Sequence, residues 1–315
     1  MKLIIRLRDK IQNFLIFFHH PLSKDRKFFT LFKILILNIK KIFKNRFIVD
    51  WLNGLRFYYG KDCWGLSGEA YYGLNEIKEQ IFLLHFLRKG DFFLDIGANL
   101  GSYTLLASGV VKAKTLAVEP STRTFKSLKD NISLNNLNRL VKPVNFALGK
   151  NNEDVFFSKD FGVCNRILKK KEINKQKFEK IKSLKLDTLI NRYKFKPDLI
   201  KIDIKGNEYN LLNNQKNIIS LNKKPIIICE IAKTSNIHNS KNSEKVLKFF
   251  KVYKYDHYTY VYEKRSLIKI NKKTLNKFLK KMDYFNLIFI RYGSLNYVNK
   301  KVKSAKKFRI KHKSF

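Results

Sequence analysis

Short runs of apolar residues alternate along the chain with segments whose apolar residues recur at helical spacing. Residues 92–96, 115–119 and 198–203 are apolar, compact and rich in residues that favour strands. Residues 77–87 and the stretch after Pro120-Ser121 instead show the period of a helix. This alternation is typical of parallel βαβ units. It predicts an α/β fold with a doubly wound sheet.

The remaining pattern extends this sheet to about seven strands. A third strand is predicted to end near Ala147, and a further helix to cover residues 207–219. Residues 151–186 are charged and less regular, which indicates a β-hairpin insertion. A further apolar strand is predicted at residues 225–231. The aromatic and β-branched segments 252–260 and 285–291 predict an antiparallel pair at the sheet edge.

The first part of the chain differs from this pattern. Residues 1–43 are apolar but repeatedly interrupted by charge, so no stretch reaches the roughly 18–20 residues that span a bilayer. A cleaved signal peptide also fits poorly. Apolar residues at helical spacing predict a basic amphipathic helix, which either caps its own domain or lies on an anionic membrane. These residues are Phe28, Phe29, Phe32, Leu35, Ile36, Ile39 and Phe43.

Composition divides the chain into three predicted parts. We expect a basic N-terminal extension over residues 1–75, a catalytic domain over 76–293 and a basic tail over 294–315. The chain has 66 Lys and Arg against 25 Asp and Glu, a net charge of +41. Lysine, asparagine, isoleucine and phenylalanine all have A/T-rich codons, so nucleotide bias competes with a functional basic surface as the explanation.

Three cysteines lie far apart, at Cys63, Cys164 and Cys229. Their spacing matches neither a disulfide framework nor a zinc site, and no metal ion is predicted. A reduced, cytoplasmic compartment is the expectation. The basic extension would allow peripheral contact with the inner face of a membrane.

The end of the first strand carries a glycine-containing turn, Asp95-Ile96-Gly97-Ala98-Asn99-Leu100-Gly101-Ser102. Open parallel sheets bind ligands at the carboxyl ends of their strands. Gly97 permits a tight turn there, and Gly101 permits close approach of the following helix. Asn99 stands where a dinucleotide-binding motif has its second glycine, which argues against NAD. The free N–H groups from Ser102 onward suit a carboxylate or phosphate.

Glu119 ends the second strand, 18 residues beyond Gly101. An acidic side chain at this place can accept hydrogen bonds from two ribose hydroxyls. Alone, it would be explained equally well by the dipole of the next helix. Together with Asp95 and the two glycines, it predicts a nucleoside site.

At this point the sequence resembles a known family. The segments GDFFLDIGANLGSYT, LAVEP, NFALG, LIKIDIKGNE and PIIICEI are similar, in order and spacing, to FkbM S-adenosylmethionine-dependent methyltransferases. The resemblance implies a class I methyltransferase, Rossmann-like fold and methyl transfer to a hydroxyl oxygen. It also implies that the cofactor S-adenosylmethionine contacts a set of residues at the first strand ends. These are Asp95, Gly97, Ala98, Asn99, Gly101, Ser102 and Glu119, with Asn145 near the adenine or a hydrogen-bonded loop amide.

The fourth strand end departs from the family pattern. The usual D-[VI]-E-G-x-E here reads Asp203-Ile204-Lys205-Gly206-Asn207-Glu208, so a lysine replaces an acid. That lysine either weakens catalysis or pairs with an anionic acceptor. Asp203 is the first candidate base, but a carboxylate that holds the cofactor amine or the backbone turn explains it equally well. Glu230, at the fifth strand end, is the second candidate. Glu208 is a third candidate, but a first-turn helix acid explains it as well. His238 in the next loop is a weaker alternative.

Three functions follow as alternatives. The leading prediction is an O-methyltransferase whose acceptor is a saccharide, glycolipid or polysaccharide precursor. The +41 charge suggests a nucleic-acid methyltransferase instead. DIKG lacks the Asn/Asp-Pro-Pro-aromatic loop that clamps a flipped base, which argues against base methylation and disfavours nucleic acid, but RNA ribose methylation stays an alternative. Lys205 is the sequence feature that suggests a third alternative, a non-catalytic module that retains the cofactor fold.

Overall fold

The structure, a computed structural model, describes most of the chain. The described ranges are 20–61, 64–159, 165–168, 172–173, 177–213, 224–232, 242–282, 284–307, 309–310 and 313–314. They fall into two compact units. Ile77–Lys306 forms the larger unit, and the earlier residues form the smaller one with those from Lys307 onward.

The secondary structure alternates between strands and helices through most of the described chain. The strands are β1 (Arg46–Asp50), β2 (Arg56–Gly60), β3 (Phe92–Ile96), β4 (Lys114–Val118), β5 (Val141–Val144), β6 (Ala147–Leu148), β7 (Glu153–Ser158), β8 (Phe178–Leu184), β9 (Leu199–Ile202), β10 (Ile226–Ala232), β11 (Tyr255–Val261), β12 (Ser266–Lys269), β13 (Tyr284–Arg291), β14 (Arg309–Ile310) and β15 (Lys313–Ser314). The helices are α1 (Lys27–Phe43), α2 (Ser67–Tyr72), α3 (Ile77–Phe86), α4 (Ser102–Leu105), α5 (Thr122–Leu134), α6 (Leu186–Tyr193), α7 (Glu208–Leu212), α8 (Asn242–Val252), α9 (Lys272–Lys281) and α10 (Leu295–Lys303). Short 3₁₀ turns cover Leu52–Gly54 and Trp64–Leu66, and a π-helical turn, Leu106–Val110, continues α4.

A single large sheet forms the centre of the larger unit. Its eight strands lie in the order β12-β11-β13-β10-β9-β3-β4-β5. Strands β10, β9, β3, β4 and β5 are mutually parallel, whereas β13 runs antiparallel to both β10 and β11. The predicted α/β class with a mostly parallel sheet and an antiparallel edge is therefore confirmed. Strand β12 is one strand more than the seven predicted.

The central strands are apolar because both faces of the sheet are covered, as is usual for parallel sheets. Leu94 of β3 lies between Leu116 of β4 and Ile200 of β9 in register, and all three are buried. Burial of each such side chain stabilises the fold by about 1.5–3 kcal/mol. The short apolar runs that predicted these strands are therefore explained by burial on both faces of the sheet.

A smaller sheet lies outside this main sheet, in the order β6-β8-β7. Strands β7 and β8 pair antiparallel, which confirms the hairpin predicted within residues 151–186. The third strand of the main sheet ends at Val144 rather than near Ala147, because Ala147 already belongs to β6. The helix predicted over residues 207–219 is described as α7, and residues 214–223 lie outside the described part.

The smaller unit contains the predicted N-terminal helix as α1, followed by the β1–β2 hairpin. Within helix α1, the buried residues are Thr30 and Leu37. Helix α10, which the predicted division places in the C-terminal tail, belongs to the larger unit. The division into three parts stays a prediction. Across the described ranges, no helix combines the length and apolar character needed to cross a membrane.

Candidate active site

The turn after β3 brings the ends of three strands together. Gly97 has φ +80°, and the backbone N–H groups of Gly97 and Ala98 donate to the carbonyl of Val118, at 3.0 and 2.9 Å. A Cβ on Gly97 would lie 2.0 Å from the carbonyl oxygen of Asp203. Only glycine therefore allows this left-handed turn to pass so close to the loop after β9. Asn99 and Gly101 also adopt left-handed conformations, with φ of 51° and 95°.

Glu119 follows β4 and faces this turn. Its Oε2 accepts a hydrogen bond from the N–H of Asn99 and its Oε1 accepts one from the N–H of Ser121, both at 2.9 Å. Burial raises the pKa of Glu119 to about 7, although both N–H donors oppose the shift. A carboxylate oxygen can accept two hydrogen bonds, so each oxygen retains one acceptor position.

Asp95 lies inside the protein and secures the start of α4. Its Oδ2 accepts a hydrogen bond of 2.6 Å from the hydroxyl of Thr104. Burial is the main reason that the pKa of Asp95 rises to about 6, and the Thr104 hydrogen bond lowers it in part. Asp95 thus connects the end of β3 to α4 and stabilises the turn between them. Its predicted contact with the cofactor stays a prediction, as do those of Ala98, which is buried, and Ser102, which is half-buried.

Asn145 connects the loops after β4 and β5. Its Nδ2 donates to the carbonyl oxygens of Glu119 and Pro120, both at 2.8 Å. Both amide protons are therefore used to shape the loop that carries Glu119. This geometry agrees with the interpretation of Asn145 as a hydrogen-bonded loop amide, and its position near the adenine remains a prediction.

A charged cluster occupies the ends of β9 and β10. The Nζ of Lys205 lies 2.7 Å from Oδ1 of Asp203 and 2.9 and 3.0 Å from Oε1 and Oε2 of Glu230. Lys205 has φ +48°, so its backbone also adopts a left-handed conformation. The structure thus brings the two predicted bases together with the lysine that departs from the family pattern. Because Lys205 already bridges two carboxylates, it is not an open anion receptor.

Charge and burial shift the proton affinities within this cluster in opposite directions. Burial favours a higher pKa for Asp203, but the charges of Lys201 and Lys205 outweigh it and hold that pKa well below its ordinary value. Burial, and next the charge of Asp203, raise the pKa of Glu230 to about 8. Burial alone would lower the pKa of Lys205, yet the two carboxylates raise it, so the side chain stays an ammonium.

Lys201 is a member of the cluster that the sequence analysis did not identify. It is almost fully buried within β9, and its Nζ lies 3.6 Å from Oδ2 of Asp203. It also donates a hydrogen bond of 2.9 Å to Oδ1 of Asn286 on β13, and lies 5.3 Å from the centre of the Tyr103 ring. A lysine inside the otherwise apolar strand Leu199–Ile202 was the available signal, because an ionised group is rarely buried without a partner.

Glu208 has a different environment from Asp203 and Glu230. Its Oε1 accepts from the N–H of Gly206 at 2.9 Å, and its Oε2 accepts from Nδ2 of Asn242 at 2.7 Å. These bonds connect the turn after β9 to the first residue of α8. The geometry agrees with the alternative of a helix-start acid, and its catalytic role stays a prediction. His238 lies outside the described residues.

The chemistry of these groups fits S-adenosylmethionine. Glu119 presents two remaining acceptor positions, as many as a ribose diol has donors. The neighbouring turn passes so close to the loop after β9 that a Cβ on Gly97 would clash with the carbonyl oxygen of Asp203. Within the described ranges, no group of three or more His, Cys, Asp or Glu side chains is arranged to hold a metal ion.

Comparison with known proteins gives one family match. The family model described as the methyltransferase FkbM domain matches residues 95–262, just over half of the chain. A curated relative, the hexuronic acid methyltransferase AglP of Haloferax volcanii, is 27% identical over 138 residues. That alignment covers 44% of this chain and 55% of the relative, so the chain spans about half the length of the curated relative it matches.

Two solved structures resemble this chain remotely, at TM-scores below 0.5. One is TYW2 of M. jannaschii in complex with AdoMet, at 13% identity, a TM-score of 0.38 and coverage of 78% of this chain and 84% of that one. Another is a precorrin-6y C5,15-methyltransferase of Geobacter metallireducens, at 13% identity and a TM-score of 0.38. It covers 68% of this chain and 87% of its own.

Proposed function

The chain belongs to the FkbM methyltransferase family and uses S-adenosylmethionine, and on this premise we propose that it methylates a hydroxyl oxygen of a saccharide. The acceptor class comprises free saccharides, glycolipids and polysaccharide precursors. The name of the curated relative, a hexuronic acid methyltransferase, supports a sugar acceptor that carries a carboxylate. The net charge of +41 supports the same choice, because a cationic protein attracts anionic substrates.

The Asp203–Lys205–Glu230 cluster is the observation that carries this proposal. S-adenosylmethionine, when bound, supplies an electrophilic methyl group. The protein must then accept a proton from the acceptor hydroxyl, and a general base works best when its pKa lies near the operating pH. Glu230, whose pKa is raised to about 8, meets this requirement better than Asp203, whose pKa is lowered.

We therefore propose that Glu230 accepts the proton and that Asp203 stays ionised throughout the reaction. Environments that push the pKa values of two carboxyl groups apart are typical of acid–base sites. Lys201 pairs with one oxygen of Asp203, and the other oxygen of Asp203 keeps the ammonium of Lys205 in place. Lys205 in turn orients the Glu230 carboxylate through both of its oxygens. In this proposal Lys205 supports catalysis and does not weaken it.

The cofactor site is tested first, by calorimetric titration of S-adenosylmethionine into the wild type and Glu119→Ala. We expect wild-type affinity of about micromolar order. The alanine variant should bind more than about tenfold more weakly, because two hydrogen bonds to a charged acceptor are lost. Equal binding by the two proteins would contradict the assignment of Glu119. Circular dichroism of both proteins serves as the control for folding.

The acceptor is tested next, by transfer of a labelled methyl group to an oligosaccharide that contains a hexuronic acid. The same oligosaccharide with the neutral hexose is the matched control. Label in the uronate-containing product, and little in the neutral one, supports the proposal. Label in RNA ribose but in no saccharide would overturn it, and cofactor binding without transfer to any acceptor would indicate a binding module.

A further inference from the structure

Helix α1 exposes an unusually large apolar surface. Nine of its large apolar side chains are exposed, and the most accessible are Phe28 at 89%, Phe43 at 81% and Ile42 at 71%. The full set is Phe28, Phe29, Leu31, Phe32, Leu35, Ile36, Ile39, Ile42 and Phe43. Single exposed apolar residues are normal on a protein surface, but a contiguous patch marks an interaction site.

The exposed residues share one side of the helix. Phe28, Phe32, Leu35 and Ile39 follow one another at intervals of three or four residues, which places them on a common face. Thr30 and Leu37, the two buried residues, are seven apart and lie on the opposite face. The helix therefore packs on its own unit through a narrow polar and apolar strip, and its wide apolar face points outward.

The charges around this face all have one sign. Between Asp25 and Asp50 the chain contains no acidic residue, whereas seven basic residues lie in that interval. They are Arg26, Lys27, Lys33, Lys40, Lys41, Lys44 and Arg46. Lys41 donates a hydrogen bond of 2.6 Å to the hydroxyl of Tyr59 and so connects the helix to β2. An apolar face bordered by lysines is the pattern of helices that lie in the interface of an anionic bilayer.

Charge complementarity favours an anionic bilayer on this face over two other occupants, a second copy of α1 and residues 1–19 of the same chain. A second copy of α1 would bring its own lysines against those of the first, with no acid on either helix. Residues 1–19 carry Lys2, Arg6, Arg8 and Lys10 against the single acid Asp9, so they also offer no complementary charge. An anionic bilayer supplies both partners, because its acyl chains form the apolar phase and its headgroups carry the negative charge.

We propose that the outward face of α1 docks the protein on anionic lipid bilayers, with Phe28 to Phe43 in the acyl boundary and the lysines among the headgroups. The helix lies in the plane of the interface and does not cross the bilayer. This inference is independent of the proposed function, since it rests on the smaller unit alone. It assigns a location to the protein and not a substrate.

The test is flotation of the full-length protein with vesicles of phosphatidylcholine, alone or in equal parts with phosphatidylglycerol. Wild type should float with the mixed vesicles at low salt and far less with the neutral ones. Phe28→Gln combined with Phe43→Gln should reduce its partition into mixed vesicles by more than about tenfold. Lys33→Gln combined with Lys40→Gln should reduce it several-fold and weaken its salt dependence.

The matched control replaces two exposed apolar residues of the larger unit, Val252→Gln and Ile268→Gln. This variant should float as the wild type does. Undiminished flotation of the Phe28/Phe43 variant would overturn the proposal and attribute binding to net charge. Absence of wild-type flotation on mixed vesicles, or equal flotation on both kinds of vesicle, would also overturn it.

Two measurements without vesicles detect the other occupants. The Phe28/Phe43 variant should keep the thermal midpoint of the wild type, because an exposed face contributes no contacts to lose. A lowered midpoint would mean that the chain itself covers the face. Sedimentation should show the same oligomeric state for both proteins, and a wild-type dimer that this variant converts to a monomer would assign the face to a second copy.

Discussion

The two carboxylate-bearing regions of the active site hold their charges in different ways. At the ends of β3 and β4, Glu119 is fixed by two backbone N–H groups and Asp95 by a hydroxyl. At the ends of β9 and β10, Asp203 and Glu230 are fixed by the ammonium group of Lys205. Burial raises the pKa of both acids in the first region, whereas cations lower that of Asp203 in the second.

This difference separates binding from chemistry. Backbone donors are set by the fold, so the first region presents a fixed surface to the ribose of the cofactor, which the reaction does not change. Ion pairs respond to the loss or gain of a proton, which the second region must accommodate during each turnover. Gly97 is the point at which the two regions touch, because its turn passes against the carbonyl of Asp203.

The largest effect is therefore expected from Gly97→Ala, which would break both regions together. The new Cβ would lie 2.0 Å from the Asp203 carbonyl oxygen, at a φ of +80° that alanine also disfavours. We expect the free energy of unfolding to fall by about 3 kcal/mol or more, with loss of S-adenosylmethionine binding. Chemical denaturation and calorimetry measure the two quantities.

Gly90→Ala is the matched control for this variant. Gly90 has a similar φ of +86°, but a Cβ there would meet nothing within 4 Å. We expect a loss of only about 1–2 kcal/mol, from the left-handed backbone alone, and unchanged cofactor affinity. Equal destabilisation by the two substitutions would show that the close approach of the two loops has no energetic importance.

The second-largest effect is expected from Lys205→Met, which should impair turnover in the second region and leave cofactor binding in the first region almost unchanged. Without the ammonium of Lys205, Glu230 loses its cation partner and faces the negative charge of Asp203, and kcat should fall by about a hundredfold. Removal of the cation raises the pKa of Glu230, the proton acceptor, so the acid limb of the pH–kcat profile should move to higher pH. S-adenosylmethionine affinity should change less than about threefold, because hydrogen bonds rather than cations hold Glu119.

Lys205→Arg keeps the positive charge and is the control. It should retain more activity than Lys205→Met and show a smaller shift of the profile. If Lys205→Met weakened cofactor binding as much as it slowed turnover, the two regions would not be separable. If kcat did not change, Lys205 would have no positioning role.

The sequence predicts the first region better than the second. Strand ends can be located from the apolar period, and the carboxyl ends of neighbouring parallel strands meet at one edge of a sheet. Glu119 and the Gly97 turn were therefore accessible to prediction, and their proximity follows from two adjacent strands. The donors to Glu119 are backbone groups, which any residue at those positions provides.

The second region depends on contacts that no local pattern encodes. Lys201 donates to Asn286, a residue that reaches it only because β13 pairs with β10 in a particular register. Likewise, the sequence does not reveal the rotamer that places the ammonium of Lys205 between two carboxylates. Similarly, helical spacing predicted α1, but which of its faces points outward depends on where Thr30 and Leu37 pack.

The smallest effect is expected in the wild type itself, as a pH dependence of cofactor affinity. The pKa of Glu119 is raised to about 7 by burial, so the free protein carries a proton there below that pH. Ribose hydroxyls donate best to the ionised carboxylate, so binding must release this proton as the pH falls below 7. We expect affinity to be highest above pH 7 and about three- to tenfold weaker near pH 6 than near pH 8.

Glu119→Gln identifies the group responsible, because its amide oxygen still accepts a hydrogen bond but does not titrate. The amino group of the cofactor also titrates near this range, so the wild-type dependence is compared with that of the variant on the same ligand. Calorimetry between about pH 6 and pH 8 should show a shallower slope for Glu119→Gln. An identical slope in both proteins would mean that the pH dependence of affinity comes from Asp95 or from the cofactor, and not from Glu119. It would also remove the charge distinction between the two regions, because backbone donors would then keep Glu119 ionised throughout.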